Sequence, residues 1–170
     1  TLTGRNDWPS QLAGPNSKQS SFFYPSVGTS ILLSEIFNLP ESISYLKLRA
    51  SWASVGLPFG RFLANPTFEW DFSTGAYKSQ AAYPLYELKP ERTESWEVGL
   101  TARFLKYFNF DVSFYNTKTY NQTVDAQLSP TGGYNKFYAQ TGEVRNRGVE
   151  LSLEFKNTWN KFTWNSNYTF

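Results

Sequence analysis

Glu91, Glu94 and Glu97 are the residues whose type and spacing come nearest to a reactive constellation, because paired carboxylates can hydrolyse glycosidic bonds. Pro90 disfavours an ordinary helix at this point, and in a strand beginning near Thr93 a spacing of three sends Glu94 and Glu97 to opposite faces. These acids therefore read as structural or loop-anchoring groups. The 170 residues include no His and no Cys. That removes the commonest general base, the commonest metal ligand, thiolate nucleophiles, disulfides and the usual zinc sites. No enzyme chemistry, cofactor or metal site is expected. A net charge of +2 is too weak to argue for nucleic acid.

A second group of candidates is aromatic. Trp70, Tyr77, Tyr83, Tyr86, Tyr134 and Tyr138 fall in segments read as loops, where an aromatic body with a polar tip can stack on sugar rings or peptide side chains. The competing structural reading is that they pack loop against loop or sit at a membrane interface. These six are the substrate-contact candidates.

The elements that would position such residues are strands. Aromatics make up 19% of the chain, spread among polar residues, and no stretch approaches the ~20 apolar residues of a membrane-spanning helix. Alternation with a period of two, which places successive side chains on opposite faces, recurs along the chain. Leu46, Leu48, Ala50 and Trp52 oppose Lys47, Arg49 and Ser51. Trp96, Val98, Leu100, Ala102 and Phe104 oppose Ser95, Glu97, Thr101 and Arg103. Phe108, Phe110, Val112 and Phe114 follow, then Val149, Leu151, Leu153 and Phe155, and finally Phe162, Trp164, Tyr168 and Phe170. No apolar face carries a charge, as lipid requires, since a Lys or Arg there costs ~2–4 kcal/mol at the bilayer midplane. Phe22–Leu33 reads as a strand with weaker alternation, and Thr1–Asn6 as the tail of another. Trp52, Trp96, Tyr107, Trp159 and Trp164 read as girdle or lipid-facing positions. Lys47, Arg49, Arg103, Asp111, Glu150 and Glu154 read as a solvated, mutually paired inner wall.

The connections alternate in length: long (7–20), medium (34–44), long (56–93), short (105–107), long (120–144) and short (157–160). In up-and-down order this gathers the long links at one rim and the shorter ones at the other, as in outer-membrane barrels. Pro58, Gly60, Pro66, Gly75, Pro84 and Pro90 break one long link, and Pro130, Gly132 and Gly133 another. The expectation is all-β: an antiparallel up-and-down transmembrane β-barrel portion of about six or seven strands, an open curved sheet by itself. An open sheet in lipid leaves backbone groups unpaired, so this number of strands is too few for a whole barrel.

Five phrases give a family resemblance. Gly4-Arg5-Asn6-Asp7-Trp8, Phe23-Tyr24-Pro25-Ser26-Val27 and Leu46 to Trp52 with Val55-Gly56 resemble the later barrel strands of SusC/RagA-type TonB-dependent transporters. Leu88-Lys89-Pro90-Glu91-Arg92-Thr93, continuing through Glu97 and Gly99, resembles that family's "L-x-P-E-x-T-x-x-x-E-x-G" strand entry. Asn146-Arg147-Gly148-Val149-Glu150-Leu151 is similar to its "N-x-G-V-E-L" strand. The resemblance implies that Pro90, Glu91, Thr93, Glu97, Gly99, Asn146, Gly148 and Glu150 are structural motif positions. It also implies that residues 1–170 are part of a barrel of ~22 strands, with a plug domain, a TonB-contacting segment and remaining strands outside this sequence. Implied partners are the TonB energy-transducing complex, a SusD-type surface lipoprotein, a glycan or peptide substrate and the lipid bilayer. The implied setting is the bacterial outer membrane.

The alternative from another class is a secreted soluble β-sandwich that binds carbohydrate, since a sandwich alternates in the same way. The two readings differ in the fate of positions 96, 98, 100, 110, 112, 151 and 153. A sandwich turns them into one dry interior, and a barrel forms them into an outward belt.

Overall fold

The computed structural model describes residues 1–64, 67–78, 82–83 and 86–170; Pro66 and Pro84 lie outside them. In chain order the strands are β1 (Leu2–Asp7), β2 (Phe22–Leu32), β3 (Ile43–Leu57), β4 (Trp70–Asp71), β5 (Ala76–Tyr77), β6 (Ala82–Tyr83), β7 (Glu91–Phe104), β8 (Phe108–Gln127), β9 (Lys136–Trp159) and β10 (Phe162–Thr169). A one-turn helix, Leu33–Ile36, follows β2. The main sheet runs β1-β2-β3-β7-β8-β9-β10, every neighbour antiparallel, with β6 attached in parallel to β9. Strands β4 and β5 form a separate ribbon.

Register shows what the alternation achieves. Ile31 pairs with Leu48, Leu48 with Leu100, Leu100 with Val112 and Val112 with Leu151. The next row joins Thr29, Ala50, Val98, Phe114 and Val149. The apolar faces read separately in five strands thus merge into a single side of one sheet. A slip of one residue in any pairing would turn that strand's apolar set to the other side. No second sheet covers this side among the described residues, and Trp96, Val98 and Phe114 remain 41, 42 and 38% exposed. The sandwich alternative is therefore not realised. Eight residues separate Trp96 from Phe104, ~27 Å along the strand, or roughly 20 Å after the usual tilt of a membrane barrel, close to the height of a hydrocarbon-facing band.

Both ends of the band are aromatic. Towards the short turns, Phe104, Phe108, Phe155, Trp159, Phe162 and Trp164 form a chain of neighbouring rings with centroids 5.0 to 6.4 Å apart. Towards the long links, Trp52 pairs with Trp96, and Trp96 packs on Phe114 at 5.2 Å. The tryptophans among them, Trp52, Trp96, Trp159 and Trp164, have one polar edge each and favour the boundary between hydrocarbon and water.

The long links gather at one rim, as expected, with one correction. The link expected over 120–144 is mostly sheet, because β8 continues to Gln127 and β9 already starts at Lys136. Between Tyr120 and Glu143 these strands carry polar residues on both faces, so the backbone pairs while the apolar alternation disappears. The short turns use left-handed backbone: Leu105 (φ 51°) and Lys106 (φ 62°) close β7 on β8, and Asn160 (φ 55°) closes β9 on β10. The dry core is small and lies at the long-link rim. It comprises Leu12, Phe22, Phe59, Ala64 and Leu88, with Tyr24 and Leu63 against it.

Candidate functional site

The polar side of the sheet carries the densest arrangement of charge. Arg49 on β3 sends Nη1 and Nη2 to the two carboxylate oxygens of Asp111 on β8, at 2.7 and 2.8 Å. Its Nη1 also donates to Thr101 Oγ1 at 3.0 Å, and Thr101 donates that hydroxyl to Asp111 at 2.6 Å. Glu97 stands 3.6 Å from Arg49 Nε. Strand β7 lies between β3 and β8, so Arg49 must cross ~10 Å of sheet to reach Asp111. Gly99 permits this. A Cβ at Gly99 would sit 2.5 Å from Arg49 Nε and 2.7 Å from Cζ. The same device recurs on β9, where a Cβ at Gly148 would meet Tyr115 Oη at 2.6 Å. Glycine at these two positions is thus explained by a side chain from the next strand lying across it.

The network is open to water. The side chains of Arg49, Asp111 and Glu97 are 34, 37 and 45% exposed, which limits such pairs to roughly 1 kcal/mol each despite the two-pronged geometry. Around them lies an open groove of about 420 Å³ lined by Arg49, Glu97, Asp111, Ser113, Glu150 and Ser152 among others. Further towards the short turns, Arg103 Nε donates to Asn109 Oδ1 at 2.8 Å, and Asn109 Nδ2 donates to Glu154 at 2.9 Å. This is a wall of paired polar groups that can face an aqueous lumen or a polar cargo. Among the described residues no group of His, Cys, Asp or Glu is arranged to hold a metal ion.

The three spaced glutamates separate as their strand demands. Glu91 opens β7 opposite Leu57. Glu94 lies on the girdle side, 3.4 Å from Arg92 Nε and accepting from Tyr120 Oη at 3.4 Å, while Glu97 lies on the polar side. Thr93 meets Thr119 hydroxyl to hydroxyl at 3.0 Å, and the Pro90 carbonyl accepts from Asn121 Nδ2 at 3.4 Å. Asn146 pairs with Thr117 and Glu150 with Ser113 on the polar side.

The six aromatic candidates fall into separate places. Trp70 and Tyr77 face each other across the β4–β5 ribbon, ring centroids 5.0 Å apart and nearly perpendicular, and Phe68 adds its edge to Tyr77. Glu69 and Lys78 close the base of this ribbon at 3.1 Å. At its turn Asp71 accepts from the Ser73 hydroxyl at 2.6 Å and from its backbone N–H at 2.9 Å, which holds the Asp71 carboxyl below the usual carboxylate range. Tyr83 and Tyr134 make a second pair, at 5.2 Å, where β6 joins the β8–β9 hairpin. Tyr138 is a correction: it lies within strand β9, beneath the Lys136 ammonium at 5.4 Å, and not in a loop. Tyr86 stands exposed in the link before β7.

Sequence reasoning missed Gln140. Its amide accepts from Lys89 N–H at 2.9 Å and donates to Lys89 C=O at 2.6 Å, so one side chain pairs with a peptide group as a strand would and fixes the entry to β7. A lone Gln in a polar stretch carries no signal that would reveal this.

The sequence profile described as TonB dependent receptor-like, beta-barrel, matches residues 1–170. The chain belongs to this family. Among curated relatives it is 29% identical to TonB-dependent receptor P26 of Formosa agariphila, over 98% of this chain and 18% of the relative. TonB-dependent receptor P39 of the same organism is 30% identical over 75% of this chain and 13% of the relative. The chain thus spans under a fifth of the length of these relatives. Among solved structures, the RagAB peptide transporter superposes with a TM-score of 0.76 at 24% identity, over 99% of this chain and 19% of that one. The antiparallel barrel-type sheet read from the alternation agrees with these matches, and the family match agrees with the resemblance of the motifs to TonB-dependent transporters.

Proposed function

We propose that the whole protein imports glycans or peptides across the bacterial outer membrane and that this chain supplies wall strands and outward loops. One observation carries the reading. The register puts every apolar face on one exposed, charge-free side bounded by two aromatic belts, with the charged residues, Arg49, Asp111 and Glu97 among them, on the other. Such a sheet needs lipid on one side and water on the other. Its outer strands, β1 and β10, require further strands to satisfy their edges in a bilayer. The family's membership and the RagAB description as a peptide transporter support import as the activity.

In this reading a plug domain, a TonB-contacting segment and a SusD-type surface lipoprotein complete the machine, and the Trp70–Tyr77 ribbon and the Tyr83–Tyr134 pair offer the first aromatic contacts to cargo. The test uses the full-length protein in its own cells. It is expected to fractionate with the outer membrane and to migrate faster on gels when unheated. Deleting its gene is expected to abolish uptake of one of two labelled probes, a peptide mixture or an oligosaccharide mixture. Recovery with soluble proteins, or uptake unchanged for both probes, overturns the reading.

A further inference from the structure

Charge reappears on the apolar side immediately past the Trp52–Trp96 belt. By register, the row of Trp96 continues through Asn116 to Arg147, and the row beyond it joins Ser54, Glu94, Lys118 and Arg145. The charged groups on this face are Arg92 and Glu94 of β7, Lys118 of β8, and Glu143, Arg145 and Arg147 of β9. Four of them neutralise one another. Arg92 lies 3.4 Å from Glu94 and also donates to the buried Ser54 hydroxyl at 2.8 Å, and Lys118 lies 2.8 Å from Glu143. Among the described residues Arg145 and Arg147 have no acidic partner, and both are exposed.

Two unneutralised guanidinium groups on a lipid-facing side are costly within hydrocarbon and favourable only at its boundary. Their position beside an indole belt puts them at that boundary, where a long side chain can raise its head to the polar layer. Two positions apart on one strand, they stand about 7 Å from each other and point the same way. A guanidinium fork matches phosphate oxygens two at a time, which an ammonium does not.

We propose that Arg145 and Arg147 form a binding site for the phosphate of a lipid headgroup in the leaflet on the long-link side. The occupant is a lipid and not a soluble anion because the face beneath the arginines, Val149 and Phe114 beside Trp96, is the apolar band itself. One molecule can fill both, its chains on the band and its phosphate on the arginines. The neutralised pairs Arg92–Glu94 and Lys118–Glu143 leave these two residues as the positive centre of the face.

The inference rests on the membrane reading above, and the two can fail separately. Full-length protein in a neutral detergent, shown to be folded by its heat-modifiable migration, is titrated in native mass spectrometry with dioleoyl phosphatidic acid, dioleoylglycerol and inorganic phosphate. The first two probes differ only in the phosphate. At about fivefold per arginine near a charged headgroup, the phosphatidic acid is expected to bind ~25-fold more tightly than the diglyceride. That preference should fall to ~fivefold in R145Q and to near parity in R145Q/R147Q, while an equal concentration of inorganic phosphate displaces none of the lipid. Equal binding of the two lipids by the unaltered protein overturns the site without any variant. An undiminished preference in R145Q/R147Q, or displacement by inorganic phosphate, overturns it as well. Loss of heat-modifiable migration in the unaltered protein instead removes the membrane reading on which it stands.

Discussion

The wall and the long-link rim of this molecule are held together by opposite means. In the wall, from Trp96 to Phe104 and across β3, β7, β8 and β9, large side chains stay exposed on one side, and order comes from backbone ladders and side chains crossing between strands. At the rim, Leu12, Phe22, Phe59, Ala64 and Leu88 are withdrawn from solvent into a small core that ties two links to the start of β2. A wall without a dry interior is completed by its solvent, whereas the rim is completed by itself. Substitutions in the two regions should therefore fail in different media and over different distances.

The largest effect is expected at the rim. Leu88→Ala empties a fully buried position and should cost ~2–5 kcal/mol of local stability. Hydrogen exchange is expected to accelerate in residues 9–21 and 58–64 while the ladders of β7 and β8 keep their protection. Equal loss of protection in both regions would join what the comparison separates.

Next come charges placed in the wall. Leu100→Arg should cost ~2–4 kcal/mol in lipid, and its neighbour Thr101→Arg much less, because one faces hydrocarbon and the other the aqueous side. Unfolding of the full-length protein by urea in vesicles measures both. Similar costs at 100 and 101 would remove the distinction between the faces.

A subtler contrast lies between two glycines. Gly99→Val must push Arg49 off its path to Asp111 and is expected to destabilise the wall by ~1–3 kcal/mol. Gly132→Ala at the rim meets nothing within 4 Å and should be close to neutral. Both follow from the same urea experiment.

The smallest effect is a titration in the ribbon. Asp71 is held below the ordinary carboxylate range first by the Ser73 hydroxyl and then by its N–H. A carboxyl with a depressed folded pKa contributes its stabilisation above the unfolded value, ~3.9, and loses it as pH falls through the folded one. Trp70 fluorescence should therefore hold steady from neutral pH to about 4 and change only in stronger acid. Asp71→Asn should flatten that change.

Most of the wall was legible because lipid imposes a strict rule on every second residue. Leu48, Leu100, Val112 and Leu151 announce their common side before any pairing is known, and Arg49 and Asp111 announce the other. What alternation cannot give is reach. That Arg49 bridges two strands over Gly99 requires the register, and so does the Gln140 clasp on Lys89. The β8–β9 extension within 120–144 was hidden because its residues are polar on both faces and leave no contrast for alternation to record, which also placed Tyr138 in the wrong element. The rim core was invisible for another reason. Leu12, Phe59 and Leu88 are single apolar residues in links, with no period to betray that they meet.

The decisive measurement is residue-by-residue exposure to lipid. The chain contains no Cys, so a nitroxide label can be placed singly at 98, 100, 101, 111, 112, 113, 150 and 151, with any cysteines elsewhere in the full-length protein removed. Relaxation by oxygen dissolved in the bilayer should be strong at 98, 100, 112 and 151. A water-borne nickel chelate should instead reach 101, 111, 113 and 150. A profile that alternates in this phase is what the account predicts. A flat profile, or one with oxygen and nickel exchanged, would contradict it.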